Sequence, residues 1–421
     1  MFRGFSQLFN KANKDLRKRI YITLFCLGLF ALGSSVTIPW ATQIYQDLGF
    51  LEIFNIMSGG GLRSFSIFAL GVSPYITASI ITQLLQMDII PYFKDLKDQG
   101  YTGRQKINKI NRYMGIIIGF FQAYVLCIAY MGSASVFVQL KTALVMTAGT
   151  AFCLWMGDQI TNKGIGNGQS MLIMAGIILS MPSIFTGAYY GFVTSGTYET
   201  ALGIFFFCLF ILVYILIVVG IIWIQLAERR IPIQYTSSSI SLSKPSEANY
   251  LPLKVNSASV IPVIFASSLM MAPIQIASFF PSNDFIKEMQ KWLGLKTWYS
   301  LVIYVLLILF FTFFYTKMQI NPEKVAENLG KSGSYIPSVR PGSETKDYIN
   351  RVLSRITVLG SVALAFIAVM PHVMPLIWPD LPSSMALGGT GMIIVVGVAI
   401  ETVRQVQGLI TQKSYKKYYE D

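Results

Sequence analysis

Few residues in this chain are suited to making or breaking bonds. His372 is the only histidine. A zinc site of the HExxH kind is therefore excluded. A Ser–His pair would have one candidate, beside Pro371 at the edge of an apolar run, and a structural or interfacial histidine is the expectation. Cys26, Cys127, Cys153 and Cys208 each sit inside an apolar run without CxxC spacing, so they read as small buried hydrophobes and imply neither disulfide nor metal. Gly330-Lys331-Ser332 has the form of the end of a phosphate-binding loop, but Val325 stands where that loop needs its upstream glycine. Gly164, Gly166 and Gly168 alternate and follow a helical pattern instead of a strand, which suits a tight link between two helices and not a dinucleotide site. Ionisable groups in mid-membrane would signal ion-coupled transport. Asp88, Asp158, Lys317 and Glu401 all fall near the expected cytoplasmic ends of their segments, where capping or interfacial placement accounts for them.

The elements that carry these residues are apolar. The 421 residues are 53% hydrophobic and only 13% charged, with a mean hydropathy of +0.56, and no soluble domain can be carved from them. Runs near the ~20 residues that a spanning helix needs recur at about 20–38, 113–132, 141–157, 202–226, 299–317, 352–370 and 385–403. Three more, near 72–90, 168–187 and 258–280, are amphiphilic, which gives an all-α polytopic protein of about ten spans. The first run follows a basic stretch, Lys11–Arg19, without a small-residue cleavage site, and reads as a retained helix. Phe65 to Pro91 is long and apolar enough to cross a bilayer, yet carries Ser73, Pro74, Thr77, Ser79, Thr82 and Gln83. Such a face is tolerated where it meets other helices or lines a watery cavity, so this segment reads as part of a conduit's wall.

Charge orients the chain, because Lys and Arg in short loops stay cytoplasmic. With the amino terminus inside, 28 of the 33 Lys and Arg fall on the cytoplasmic side and only Lys141, Lys287, Lys291 and Lys296 outside, with Arg63 unassigned. An even number of spans puts both termini inside. The net charge of +13 is mostly this rule at work. Two inside loops, about 227–257 and 318–350, are longer, more basic and more turn-rich than orientation requires, and suit the docking of a soluble partner.

Leu51 to Leu70 is a local oddity. A short apolar helix, LEIFNIM, breaks at Ser58-Gly59-Gly60-Gly61. It is too short to cross and too apolar for a free loop. Either a re-entrant piece packed within its own protein or an external amphipathic helix satisfies these facts.

Six stretches then carry a family resemblance: FNIMSGGGLRSFSIFALGVSPYITASIITQLLQMDIIP, GRQKINKINRY, WMGDQITNKGIGNGQS, LPLKVNSASVIPVIFASS, ENLGKSGSYIPSVRPG and LGGTGMIIVVGVAIET. In order and from the first span to the last, they resemble the bacterial SecY family, whose members are the central subunit of the Sec protein-conducting channel. The resemblance implies a ten-helix clamshell of two inverted-topology halves, 1–195 (spans 1–5) and 196–421 (spans 6–10), in the bacterial plasma membrane. It implies a pore ring of Val72, Ile76, Ile173, Ile264 and Ile394, and a plug over about 51–66 that includes Phe54, Asn55, Ser58, Gly59 and Gly60. It implies a lateral gate at Thr77 and Gln83 facing Ala272, and docking of a motor or ribosome at Arg340, Arg229, Arg230 and Lys254. Its partners would be SecE-like and SecG-like small membrane subunits, the SecA motor ATPase, the ribosome, signal-bearing preproteins and membrane lipid. No cofactor and no catalytic residue are implied. Pro337 and Pro341 would stiffen the loop that carries Arg340.

The chain departs from the family pattern in three places. Phe30-Ala31-Leu32-Gly33 stands where the first span usually carries an arginine, Thr236-Ser237-Ser238-Ser239 where basic residues usually follow IPIQY, and Gln169 where the pore-facing residue is usually isoleucine. The last puts a polar group beside the ring. A secondary transporter of a small solute, which also suits inverted repeats and broken helices, is the other class the pattern allows. An intramembrane enzyme is disfavoured by the missing dyads.

The charge asymmetry makes a direct prediction. Single cysteines placed at Gly196 and Trp292 should react with an impermeant thiol reagent from outside intact cells, and those at Gly100, Tyr250 and Gly333 should not. Modification at Tyr250 or Gly333 would reverse the orientation.

Overall fold

The computed structural model describes residues 14–41, 44, 52–86, 90–131, 134–194, 199–235, 250–277, 292, 297–377 and 384–420. Among them, ten long helices follow the ten expected apolar runs in order. In the first half these are α1 (Lys14–Ser35), α3 (Ser73–Leu85), α5 (Tyr101–Tyr130), α6 (Val136–Lys163) and α7 (Gly168–Tyr189). In the second they are α8 (Thr200–Leu226), α9 (Ile261–Ala277), α10 (Trp298–Gln319), α12 (Ser343–Ile377) and α13 (Ser384–Glu420). Three short helices lie between them: α2 (Glu52–Met57), α4 (Pro91–Asp98) and α11 (Pro322–Lys331).

Among the described residues, seven helical stretches are long and apolar enough to cross a bilayer on their own, which makes this a multi-pass membrane protein. The other three are marginal for reasons visible in their residues. Helix α1 begins with a basic turn, α9 has 17 residues, and α3 has 13. At ~1.5 Å per residue, α3 reaches ~20 Å of the ~30 Å hydrocarbon core. The span expected near 72–90 is thus found as a shorter helix that ends at Leu85. Residues 67–72 run as turns, and the helix opens at Ser73 with Pro74 in its first turn, where the missing N–H costs nothing. Residues 87–89, with Asp88, lie outside the described ones.

Packing follows apolar surface. Helix α5 lies against α3 and α6, and α6 against α1 and α7; α10 lies between α9 and α12, while α13 packs on α12, α8 and α7. One apolar core runs through all of these helices. Helix α8 is apolar on every side, yet most of its large side chains are exposed, as expected where lipid is the solvent. Cys208 lies on that outward surface, whereas Cys26, Cys127 and Cys153 are buried. The expectation that all four are buried is corrected by this single lipid-facing position.

The two long basic loops are not separate. Strand β1 (Glu228–Pro232) pairs antiparallel with β3 (Tyr250–Lys254), and β2 (Gln234–Tyr235) pairs with β4 (Ser334–Tyr335). The Tyr335 hydroxyl donates to Gln234 Oε1 at 2.9 Å across the second ladder. Beneath them a second, smaller core collects Ile231, Leu253, Leu329, Ile336, Ile349 and Ile356. This folded platform is what the reading of two independent loops missed. Its apolar residues are scattered singly among polar ones, and only pairing of the loops brings them together.

Candidate functional site

Helix α2 supplies the centre of the site. Its closing turn is glycine-dependent: Gly59 and Gly60 have φ +74° and +82°, a region that costs other residues a Cβ clash. The turn is closed by Gly60 N–H donating to the Asn55 carbonyl at 2.7 Å and by Asn55 Oδ1 accepting from Arg63 N–H at 3.0 Å. Asn55, Ile56 and Ser58 are buried, so the helix lies inside the protein and not on its surface. It rests on α7 and α13. Gly176 of α7 makes this contact possible, since a Cβ there would collide with the Met57 carbonyl. Ser180, one turn on, donates to the Ile56 carbonyl at 2.9 Å.

The expected ring residues come from four elements. Val72 caps α3 and Ile76 lies on it, Ile173 is on α7 and Ile394 on α13, all buried; Ile264 on α9 is half-buried. All five belong to the same apolar core as Ile56 and Leu62 of the α2 segment. Gln169 is turned to a neighbour: its amide lies over Gly157 of α6, and Nε2 donates to the Leu154 carbonyl at 3.4 Å. Thr77 and Gln83 lie half-buried on α3, and Thr77 bonds its own helix at the Ser73 carbonyl. The side chains of Ala272 and Phe54 lie outside the described residues.

The link Gly164–Asn167 joins α6 to α7 as expected, and it is held by both α1 and α13. Ile165 N–H donates to Thr23 Oγ1 of α1 at 3.0 Å, and Gly166 N–H to Gln405 Oε1 of α13 at 2.7 Å. Sequence reasoning did not find Gln405. It also left Asp158 as an isolated end group, whereas Asp158 pairs with Arg112 of α5 at 2.8 Å. Each charge was visible alone, but their pairing needs α5 against α6. His372 is buried and meets the ring of Tyr304 edge-on at 5.7 Å, as a structural histidine would.

On the platform, Arg340 is 88% exposed, with Glu344 4.0 Å away. Its loop is fixed by Ile336 and Val339, which pack into the small core, and by Thr345 Oγ1, which donates to the Arg340 carbonyl at 2.8 Å. Arg229 is exposed. Arg230 pairs with Glu228 at 2.8 Å and stacks 4.7 Å from the Tyr250 ring. The Glu228 hydrogen bond, with a smaller effect of Tyr250, pushes the Arg230 guanidinium above its ordinary range. Partial burial, then the Arg404 guanidinium, lowers the Lys254 ammonium, with Glu401 and Glu228 opposing.

A many-spanning helical protein with a short helix buried among its spans, and a folded basic platform at one end, belongs to the class of membrane channels and transporters. The SecY family model matches residues 66–403. The Protein translocase subunit SecY of Staphylococcus epidermidis (strain RP62A) is 42% identical over 431 residues, covering 99% of each chain. This chain belongs to the SecY family. The fold is also that of two solved structures. One is a protein-conducting channel at 18% identity, with a TM-score of 0.69 over 93% of this chain and 92% of that one. The other is Sec61 in the canine ribosome-channel complex from the endoplasmic reticulum, at 18% identity, with a TM-score of 0.66 over the same shares.

The close approach at Gly176 predicts that Gly176→Val drives α2 off α7, at a cost of about 1–3 kcal/mol for the overpacking. A cysteine at the buried position Ser58 should then react several-fold faster with maleimide than in the parent. An unchanged rate would mean that α2 does not depend on this contact.

Proposed function

We propose that this chain is the channel subunit of a bacterial protein translocase, passing unfolded, signal-bearing polypeptides across the plasma membrane and sideways into lipid. The observation that carries the reading is α2, a helix too short to span, seated inside the molecule against Gly176 and Ser180. In a channel such a helix is a plug. Ten spans in two inverted halves, 1–195 and 196–421, form a clamshell around it, with both termini in the cytosol.

Val72, Ile76, Ile173, Ile264 and Ile394 form the waist. Branched alkyl groups in a constriction dewet it and exclude ions, yet can yield around an extended chain. Gln169 is the polar position beside this ring, tied to α6. Phe54, Asn55, Ser58, Gly59 and Gly60 close the waist from the plug side, and Thr77 and Gln83 with Ala272 flank the opening towards lipid. Arg340, Arg229, Arg230 and Lys254 present the platform to a soluble partner, either a SecA-like motor ATPase or the ribosome. The Sec61 likeness supports the ribosome. Small SecE-like and SecG-like subunits brace the halves. Energy enters through the partner, and the channel itself does no catalysis.

Two outcomes test this. Replacing Ile76, Ile264 and Ile394 together with asparagine should hydrate the waist, raise resting ion conductance several-fold in planar bilayers and improve export of a weak-signal reporter, because less work is then needed to leave the closed state. A solute carrier would lose substrate uptake and show no change in signal tolerance, and unchanged values of both readouts would sink the pore assignment. Arg340→Glu should leave membrane levels normal and abolish motor-driven export in reconstituted vesicles, since a reversed charge on an exposed loop repels an acidic partner while costing the fold little. Export at the parent rate would reduce Arg340 to a solvated arginine.

A further inference from the structure

The segments on either side of α2 are bound to each other. Thr37 and Ser66 form an antiparallel bridge. It is framed by Ile38 N–H donating to the Phe65 carbonyl at 2.9 Å and by Ile67 N–H donating to the Val36 carbonyl at 3.0 Å. Closer to α2, Ile44 N–H donates to the Arg63 carbonyl at 2.9 Å. Phe65 holds φ +46° while buried, a conformation a bulky residue keeps only where its surroundings enforce it.

This base is also tied to a spanning helix. The indole N–H of Trp40 donates to Thr142 Oγ1 at 3.0 Å, and the Lys141 ammonium lies 3.8 Å from the centre of the Trp40 ring. Both partners belong to α6. Thr142 is fully buried and donates to the Val138 carbonyl at 2.8 Å, so Trp40 is bonded to a fixed point. Opening the base would break three backbone hydrogen bonds, the indole bond and the cation–π contact together. Moving α2 off α7 breaks the bond from Ser180 and apolar contacts, and apolar contacts can be re-formed with other apolar groups. The two ends of the α2 loop are therefore much harder to move than its middle.

We propose that the paired segments 36–38 and 65–67, pinned to α6 by Trp40, are the fixed pivot about which the plug leaves the waist. The loop between them swings while its base stays closed, and Trp40 is the positioning residue. This rests on the reading of α2 as a plug.

The test uses the full chain with Cys208→Ser, assembled with its membrane partners in vesicles. Thr37 and Ser66 form a bridge pair without mutual hydrogen bonds, for which Cα atoms stand ~4.5 Å apart, within the ~4.4–6.8 Å a disulfide spans. At the tip, a Cβ on Gly59 would stand 3.3 Å from Leu179 Cβ. The T37C/S66C bridge should leave motor-driven export unchanged, whereas the G59C/L179C bridge should stop it until reductant is added. A base bridge that stops export, or one that oxidant cannot form, overturns the pivot. A tip bridge that leaves export untouched removes the plug reading and the pivot with it. Independently, Trp40→Leu should raise resting conductance several-fold, and Trp40→Phe, which keeps a ring over Lys141, should raise it less. Parent-like conductance in Trp40→Leu would overturn the role of Trp40.

Discussion

Backbone polar groups inside a membrane protein have no water to fall back on, and the arrangement of this molecule depends on how one irregular stretch satisfies that demand. Between α2 and α3 the chain runs non-helically, and its amides find partners locally or across the loop. Ser66 N–H meets the Gly61 carbonyl at 2.8 Å, Gly71 N–H the Phe68 carbonyl at 2.9 Å, and Ile67 N–H the Val36 carbonyl at 3.0 Å. Because these bonds are made within the protein, the stretch can sit among spanning helices. That lets α2 reach α7 and α13, which in turn puts Ile56 and Leu62 into the same core as the candidate ring residues. Small residues on the facing helix complete the fit. Gly176 leaves room for the Met57 carbonyl, and Ser180 bonds the carbonyl before it.

A different economy rules the platform. There water is available, so exposed strands and charged loops are tolerated, and order comes from a handful of buried aliphatics. Ile336 and Ile349 hold the loop after α11 down on the β1–β3 hairpin, which leaves Arg340 outside with a fixed backbone and a free head. Rigid presentation of an exposed charge favours recognition over stability, because a surface pair with Glu344 at 4.0 Å adds little to the fold. The α6–α7 link lies near the platform and donates hydrogen bonds to Thr23 of α1 and Gln405 of α13.

Much of this was legible in the residues. The order of apolar runs and their approximate bounds follow from hydropathy, since each is a one-dimensional consequence of transfer free energy. The broken helix at 52–57 was legible from its length and its glycine run, and the resemblance to SecY assembled candidate ring positions that no single isoleucine could suggest. The apolar stretch from Phe65 is helical only from Ser73, close to the start expected for the span near 72–90. Hydropathy averages over a window and is blind to the turns at 67–72 that precede it.

What the sequence by itself determined, then, is what each segment prefers: lipid or water, helix or turn, inside or outside. Only the tertiary structure decided which segments meet. The Arg112–Asp158 pair, the bond from Gly166 N–H to Gln405, the joint core under the two basic loops and the seat of α2 on Gly176 each join residues far apart in the chain. Their energies depend on short-range contact, which falls off within a few ångströms. No pattern along the chain encodes such a distance. It emerges when the helices pack, and the seat of α2 among them emerges with it.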